Sequence, residues 1–246
     1  MSASRRRLAI IGACGLAVVA AGCALTRCLR RTLMPSHSAV IEDATMARQA
    51  VVDALRKGSK DERRVAERDE VQQVSTQGTP IEDWYVFAAR FRRDEPERPP
   101  YERMYIVWPA TPLDGRTVAL EPQPHLFVAL MCDKKRVPKS AEEAVEVARC
   151  YAWLACHVRP EKLKVLKPGE VPEVWQRSEA AEAMRQEIEG LKVVHRTWPP
   201  RGYSIAFCTY ASGMSGDDIY RWHFLIGERT FEVHRYPIIQ APRGHM

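Results

Sequence analysis

The sequence contains no Cys-x-x-Cys pair, no Gly-x-Ser-x-Gly, no His-Glu-x-x-His and no dinucleotide fingerprint in its expected context. These absences take away zinc-knuckle and thioredoxin-like sites, the nucleophile elbow, the zinc-protease helix and the Rossmann phosphate loop. Acidic side chains are missing altogether from residues 1–31, which hold Arg5, Arg6, Arg7, Arg27, Arg30 and Arg31. Taking those six from the 37 basic residues leaves 31, which balances the 31 acidic ones. The net charge of +6 therefore belongs to the N-terminal segment. The remaining chain lacks the positive footprint that phosphate binding requires, so no nucleic-acid partner is expected. What the chain does have is apolar residues, 46% of 246, ample for a core.

Residues 1–31 follow the order of a targeting signal. Arg5-Arg6-Arg7 form a positive n-region, 8–20 is an apolar run, and the small residues Ala20-Ala21-Gly22 precede Cys23. The tetrapeptide Ala20-Ala21-Gly22-Cys23 resembles the lipobox of bacterial lipoproteins, with Ala20 where that family usually has leucine. The resemblance implies lipidation of Cys23, which would become the mature N-terminus, and implies nothing about activity. Ser4-Arg5-Arg6-Arg7-Leu8 is also similar to the start of a twin-arginine export signal. The competing reading is an uncleaved helix over 8–26, which at about 1.5 Å per residue just crosses a bilayer. Arg27, Arg30 and Arg31 resist translocation and suit anionic headgroups. On either reading, 1–31 is a signal peptide or membrane anchor and 32–38 a spacer. The expected location is the extracytoplasmic face of a membrane in the cell envelope.

Residues 39–240 read as one α+β domain, divisible into helix-plus-strands halves at 39–135 and 138–240. In 39–57, Ala47, Val51, Ala54 and Leu55 fall on one helical face, and Gly58 is a stop. The charge-mixed run 59–70 suits a solvated helix extension or a loop. Strand signals follow at 71–74, 84–93 and 101–108, with a proline-punctuated turn region between the last two. A strand is expected at 117–120 and a strongly apolar one at 125–132. Ser140 with Glu143 forms a capping box for a helix reaching about residue 156. A brief strand over 162–166 and a third helix over 178–189 come next. Three strands then fit 203–210, 219–226 and 229–238, with Gly227-Glu228 as a two-residue hairpin turn. The expected architecture is an antiparallel sheet with helices on one face. Cystatin-like and NTF2-like sheets have this order of elements, an analogy of fold that carries no function.

The predicted hairpin register pairs Trp222 with Val233 and Phe224 with Phe231 on an apolar face. On the polar face it pairs His223 with Glu232 and Arg221 with His234. A His-Glu-His set is one that binds transition metals, and cross-strand charge pairing on a solvated face is the plainer account of it. Cys132, Cys150, Cys156 and Cys208 lie beyond the leader. Cys150 and Cys156, six apart on one helix, stand about 9 Å apart along its axis, too far to bridge. Cys156-His157 falls at a helix C-terminus, where the dipole opposes a thiolate. Residues 212–218 lack the Gly-Lys-Ser/Thr of a phosphate loop and read as a hairpin loop. Trp84, Tyr85, Tyr105, Trp108 and Trp222 read as core, and a pocket among them would suit a small apolar ligand. No motif implies a cofactor or names a catalytic residue. The expected function is a membrane-tethered, non-enzymatic binding or interaction module with a protein or small-molecule partner. The alternative is a metal-dependent or hydrolytic envelope enzyme using His223, Glu232 and His234.

Overall fold

Two serines set the helix starts that the sequence marks best. The Ser59 hydroxyl accepts the Glu62 N–H at 3.3 Å, and the Glu62 carboxylate accepts the Ser59 N–H at 2.6 Å. This reciprocal box makes the charge-rich run a helix of its own, α2 (Lys60–Glu67), separate from α1 (Ala44–Lys57). Ser140 caps α4 (Ala141–Ala155) in the same way, accepting the Glu143 N–H at 3.2 Å. Its return bond reaches one residue further out, since Glu143 accepts the N–H of Lys139 at 2.7 Å. The structure, a computed structural model, describes residues 44–92, 100–107, 124–132, 136–197, 199, 201–213 and 216–239. The leader with Cys23, the spacer and the strand expected at 117–120 lie outside the described residues. Among those described, no helix is long and apolar enough to cross a membrane.

The chain adopts the α+β class with antiparallel pairing, but its strands divide between two sheets where a single one is expected. The first runs β1 (Val71–Val74), β2 (Tyr85–Phe91), β3 (Tyr101–Val107) in that order. The second holds β4 (Leu163–Val165), β5 (Lys192–Arg196), β6 (Gly202–Gly213), β7 (Gly216–Gly227) and β8 (Thr230–Ile239). There β6 pairs with β4 and β5 along one edge and with β7 along the other, and β8 follows β7.

The apolar alternation of these strands decides what covers them. Ala47, Val51, Val52 and Leu55 of α1 bury against Phe87, Ala89 and Phe91 on one face of the first sheet. The other face, with Val86, Ala88, Met104 and Ile106, joins α3 (Pro124–Cys132), α4 and the inner face of the second sheet in a single core. Phe127 ties the halves 39–135 and 138–240 together, its ring 5.8 Å from Trp84 and 4.9 Å from Phe231. On the outer face of the second sheet, Leu166, Val171 and Ile188 pack with Met184 of α5 (Ala181–Glu187) over Cys208 and Ile219.

Two expectations are corrected. The run 125–132, read as a strand, is helical, within α3. It is apolar at nearly every position, so neither a helical nor a strand period shows in it, and its length suits both. The hairpin turn lies at Glu228-Arg229, with Arg229 in the left-handed region at φ +60°. Gly227 is instead the last residue of β7, paired with Thr230. It is glycine for want of space: a Cβ there would sit 2.0 Å from the Arg201 carbonyl oxygen. Gly202 lies beside it at φ +150°, where a Cβ would meet the Ile226 oxygen at 2.2 Å. Gly202→Ala thus combines a forbidden backbone conformation with a clash against backbone. It should lower stability by on the order of 2–3 kcal/mol, read as a shifted urea midpoint at constant slope. A midpoint within experimental error of the wild type would show that the two strands can part at no cost.

Candidate functional site

Moving the turn by one residue slides the β7–β8 register by two positions, so each residue keeps its face. Tyr220, Trp222, Phe224 and Ile226 are buried on the inner side, as their alternation requires. The pairs themselves change. Val233 stands opposite Phe224, Phe231 opposite Ile226, and Arg235 opposite Trp222.

On the outer face, His223 stands directly across from His234, Leu225 from Glu232 and Arg221 from Tyr236. The expected pairs His223–Glu232 and Arg221–His234 do not form. Tyr236 lies among the imidazoles, its ring 5.8 Å from that of His223 and 6.4 Å from that of His234. Arg221 turns away from them and donates to the Glu187 carbonyl at 2.5 Å. Among the described residues, no group of three His, Cys, Asp or Glu side chains is placed to hold a metal ion. The His223, Glu232 and His234 set thus has two imidazoles across one rung and a carboxylate on the next. One half of this face is covered by the 166–188 segment. The other half, running from β5 across Ser204, Ala206, His223 and Leu225 to β8, is not covered by that segment: His223 is exposed and Ser204, Ala206 and Leu225 are half-buried.

The Cys156-His157 pair is built into the end of α4. Cys156 is the C-cap, and His157 follows in the left-handed region at φ +53°. The His157 N–H donates to the Leu154 carbonyl at 3.0 Å and the Val158 N–H to that of Trp153 at 3.1 Å. This is the double bond pattern that closes a helix through a left-handed residue, with histidine where glycine is usual. The imidazole has a partner of its own, because its Nδ1 accepts the Met104 N–H of β3 at 3.1 Å. Arg159, two residues on, forks onto the Glu102 carboxylate at 3.1 and 3.2 Å. The exit of α4 is thereby pinned to the first sheet. Burial, with Arg103 and Arg235 nearby, pulls His157 down to about 4. Burial pushes the Cys156 thiol up to about 12, so at neutral pH it is no nucleophile.

A polar group inside the second sheet escapes sequence reasoning. Trp222 Nε1 donates to Thr209 Oγ1 at 2.8 Å, and the Tyr220 hydroxyl donates to Asp218 at 2.9 Å. The Arg235 guanidinium lies over the Tyr220 ring at 4.8 Å and the Trp222 ring at 5.7 Å. It also donates to the Ala155 carbonyl at 3.1 Å, neutralising the C-terminus of α4. Burial raises both Tyr220 and Tyr151 to about 12, so both phenols stay protonated. Cys132, Cys150, Cys156 and Cys208 are free thiols, with Cys132 exposed and Cys150 and Cys208 buried. Strand β5 is not among the expected elements, although two valines in a row between Gly190 and the proline at 199 are a strand signal.

The chain matches no protein-family model, no curated protein and no solved structure. The comparison with cystatin-like and NTF2-like sheets therefore rests on element order alone.

Proposed function

We propose that this protein is an interaction module held by residues 1–31 at the extracytoplasmic face of a membrane. The observation that carries the binding role is the half of the outer sheet face that the 166–188 segment does not cover, where Val194 is 60% exposed and Tyr236 52% exposed beside exposed His223 and His234. Large side chains left uncovered on an ordered sheet favour association. The groups with nucleophilic or acid–base potential in the interior serve structure instead: Cys156 caps α4, His157 accepts a strand N–H, and Tyr220 donates to Asp218. Tethering is supported by the Ala20-Ala21-Gly22-Cys23 motif and the basic, apolar order of the leader.

Intact-mass measurement of the membrane-extracted protein tests the tether. The expected spectrum shows either a chain beginning at Cys23 with added acyl mass or the full-length chain in the membrane fraction. A chain cut behind residue 31 and recovered in the soluble fraction would overturn the tether. Turnover by the purified protein on a broad hydrolase panel would overturn the non-enzymatic reading.

A further inference from the structure

The edge strand β5 offers a more specific surface than the sheet face beside it. Among the described residues β5 pairs only with β6, so its far edge has main-chain groups without a strand partner. Alternation in the strand puts Lys192, Val194 and Arg196 on the outer face, opposite Ala206, Ser204 and Gly202. All three are exposed, Val194 by 60%, and Leu191 just before them is 48% exposed. Natural edges are commonly guarded by charge. Here the charges are of one sign along the strand, and His195 and Arg201 are further exposed basic or imidazole side chains at the same edge. The Glu189 carboxylate accepts from Lys192 at 2.7 Å, with both side chains about half exposed or more. An ion pair that open exchanges its partner at little cost.

We infer that β5 is a docking edge for an extended acidic peptide, which adds to the second sheet as a strand. The inference rests on the interaction-module reading and names the class of partner. Cross-strand pairing dictates the peptide pattern: an acid opposite Lys192, an apolar residue opposite Val194 and an acid opposite Arg196, one residue apart in each step. The same charges disfavour a second copy of this chain. Two β5 strands paired antiparallel about Val194 would set Lys192 of each against Arg196 of the other, and opposed like charges destabilise a ladder.

The test uses the full chain in detergent micelles with two blocked, fluorescent heptapeptides, TETVTET and TKTVTKT. Anisotropy should show TETVTET binding at least tenfold more tightly than TKTVTKT. The double variant Lys192→Glu with Arg196→Glu should reverse that order, and both side chains are exposed, so the fold should be retained by circular dichroism. Carbonyl-labelled TETVTET should show an infrared amide band at the β-sheet position when bound. Equal binding of both peptides, no binding of either, or an unchanged preference in the double variant would overturn the proposal. So would a dimer of the wild-type chain that dissociates when Val194 is changed to Asp, because the edge would then serve a second copy. These outcomes are independent of the intact-mass result, so the tether can fail while peptide binding stands, and the reverse.

Discussion

Trp222→Ala should remove about 3–5 kcal/mol of stability, the cost of emptying a large aromatic site in a packed core. Trp222 is 1% exposed, and its ring stacks on Phe224 at 5.8 Å and meets Tyr151 edge-on at 6.3 Å. The indole N–H also holds Thr209, which is fully buried at 0% exposure. Truncation therefore strands a buried hydroxyl as well as opening a cavity, which adds about 1 kcal/mol or more. Arg235 loses one of the two rings beneath its guanidinium, and with it some of what holds that side chain over the C-terminus of α4. Domains of this size are stable by only about 5–15 kcal/mol, so the variant should be partly unfolded at 37 °C. Trp222→Phe separates the two terms, since it keeps most of the volume and removes only the N–H. Urea unfolding should rank wild type above Trp222→Phe above Trp222→Ala. A loss under about 1 kcal/mol for the alanine variant would mean that the strand register places Trp222 elsewhere.

That register shows what could be read from the sequence and what could not. The alternation 220, 222, 224, 226 marked the buried face correctly, because a slide of two positions preserves which side each residue faces. The pairs differ because Gly227 looks like a turn glycine, and its true constraint is the approach of the Arg201 carbonyl just before β6. The helix behind Ser140 is legible, since a cap is a local signal three residues long, whereas the same box at Ser59 starts a separate helix where the charge-mixed run reads as a helix extension or a loop. Helix α3 is not, because a segment apolar at nearly every position has no periodicity to read. The two-residue slide exchanges the partners within the set His223, Glu232 and His234, putting the imidazoles across one rung and Glu232 on the next, and among the described residues no three such side chains are placed to hold a metal ion. Contacts such as His157 to Met104 and Arg159 to Glu102 join residues 53 and 57 positions apart, and only the folded arrangement of the two sheets reveals them.

The His157 contact makes a prediction about acid. The ring accepts the Met104 N–H through Nδ1, so it must be neutral there, with its proton on Nε2. A protonated ring would set an N–H against an N–H, in a buried place already faced by Arg103 from β3 and Arg235 from β8. Burial is the largest cause of the drop from an ordinary 6.5 to about 4. The unfolded chain therefore binds this proton first as pH falls. Stability from the neutral ring is complete above pH 6.5 and declines through the window from 6.5 to 4, by roughly 3 kcal/mol in total. The carboxylates of Glu142, Glu170 and Glu189 are shifted downward from 4.5, so their contributions fade only at lower pH. His157→Asn is the informative variant, because asparagine tolerates the left-handed conformation at this position and cannot take up the proton. Urea titrations at pH 7.5, 6.0, 5.0 and 4.5 should show the wild-type midpoint falling while that of His157→Asn stays nearly level. Parallel curves for the two proteins would place the acid sensitivity elsewhere and would mean that His157 is not held neutral by the fold. A steeper fall in the wild type alone would show that the folded chain holds His157 neutral at the exit of α4.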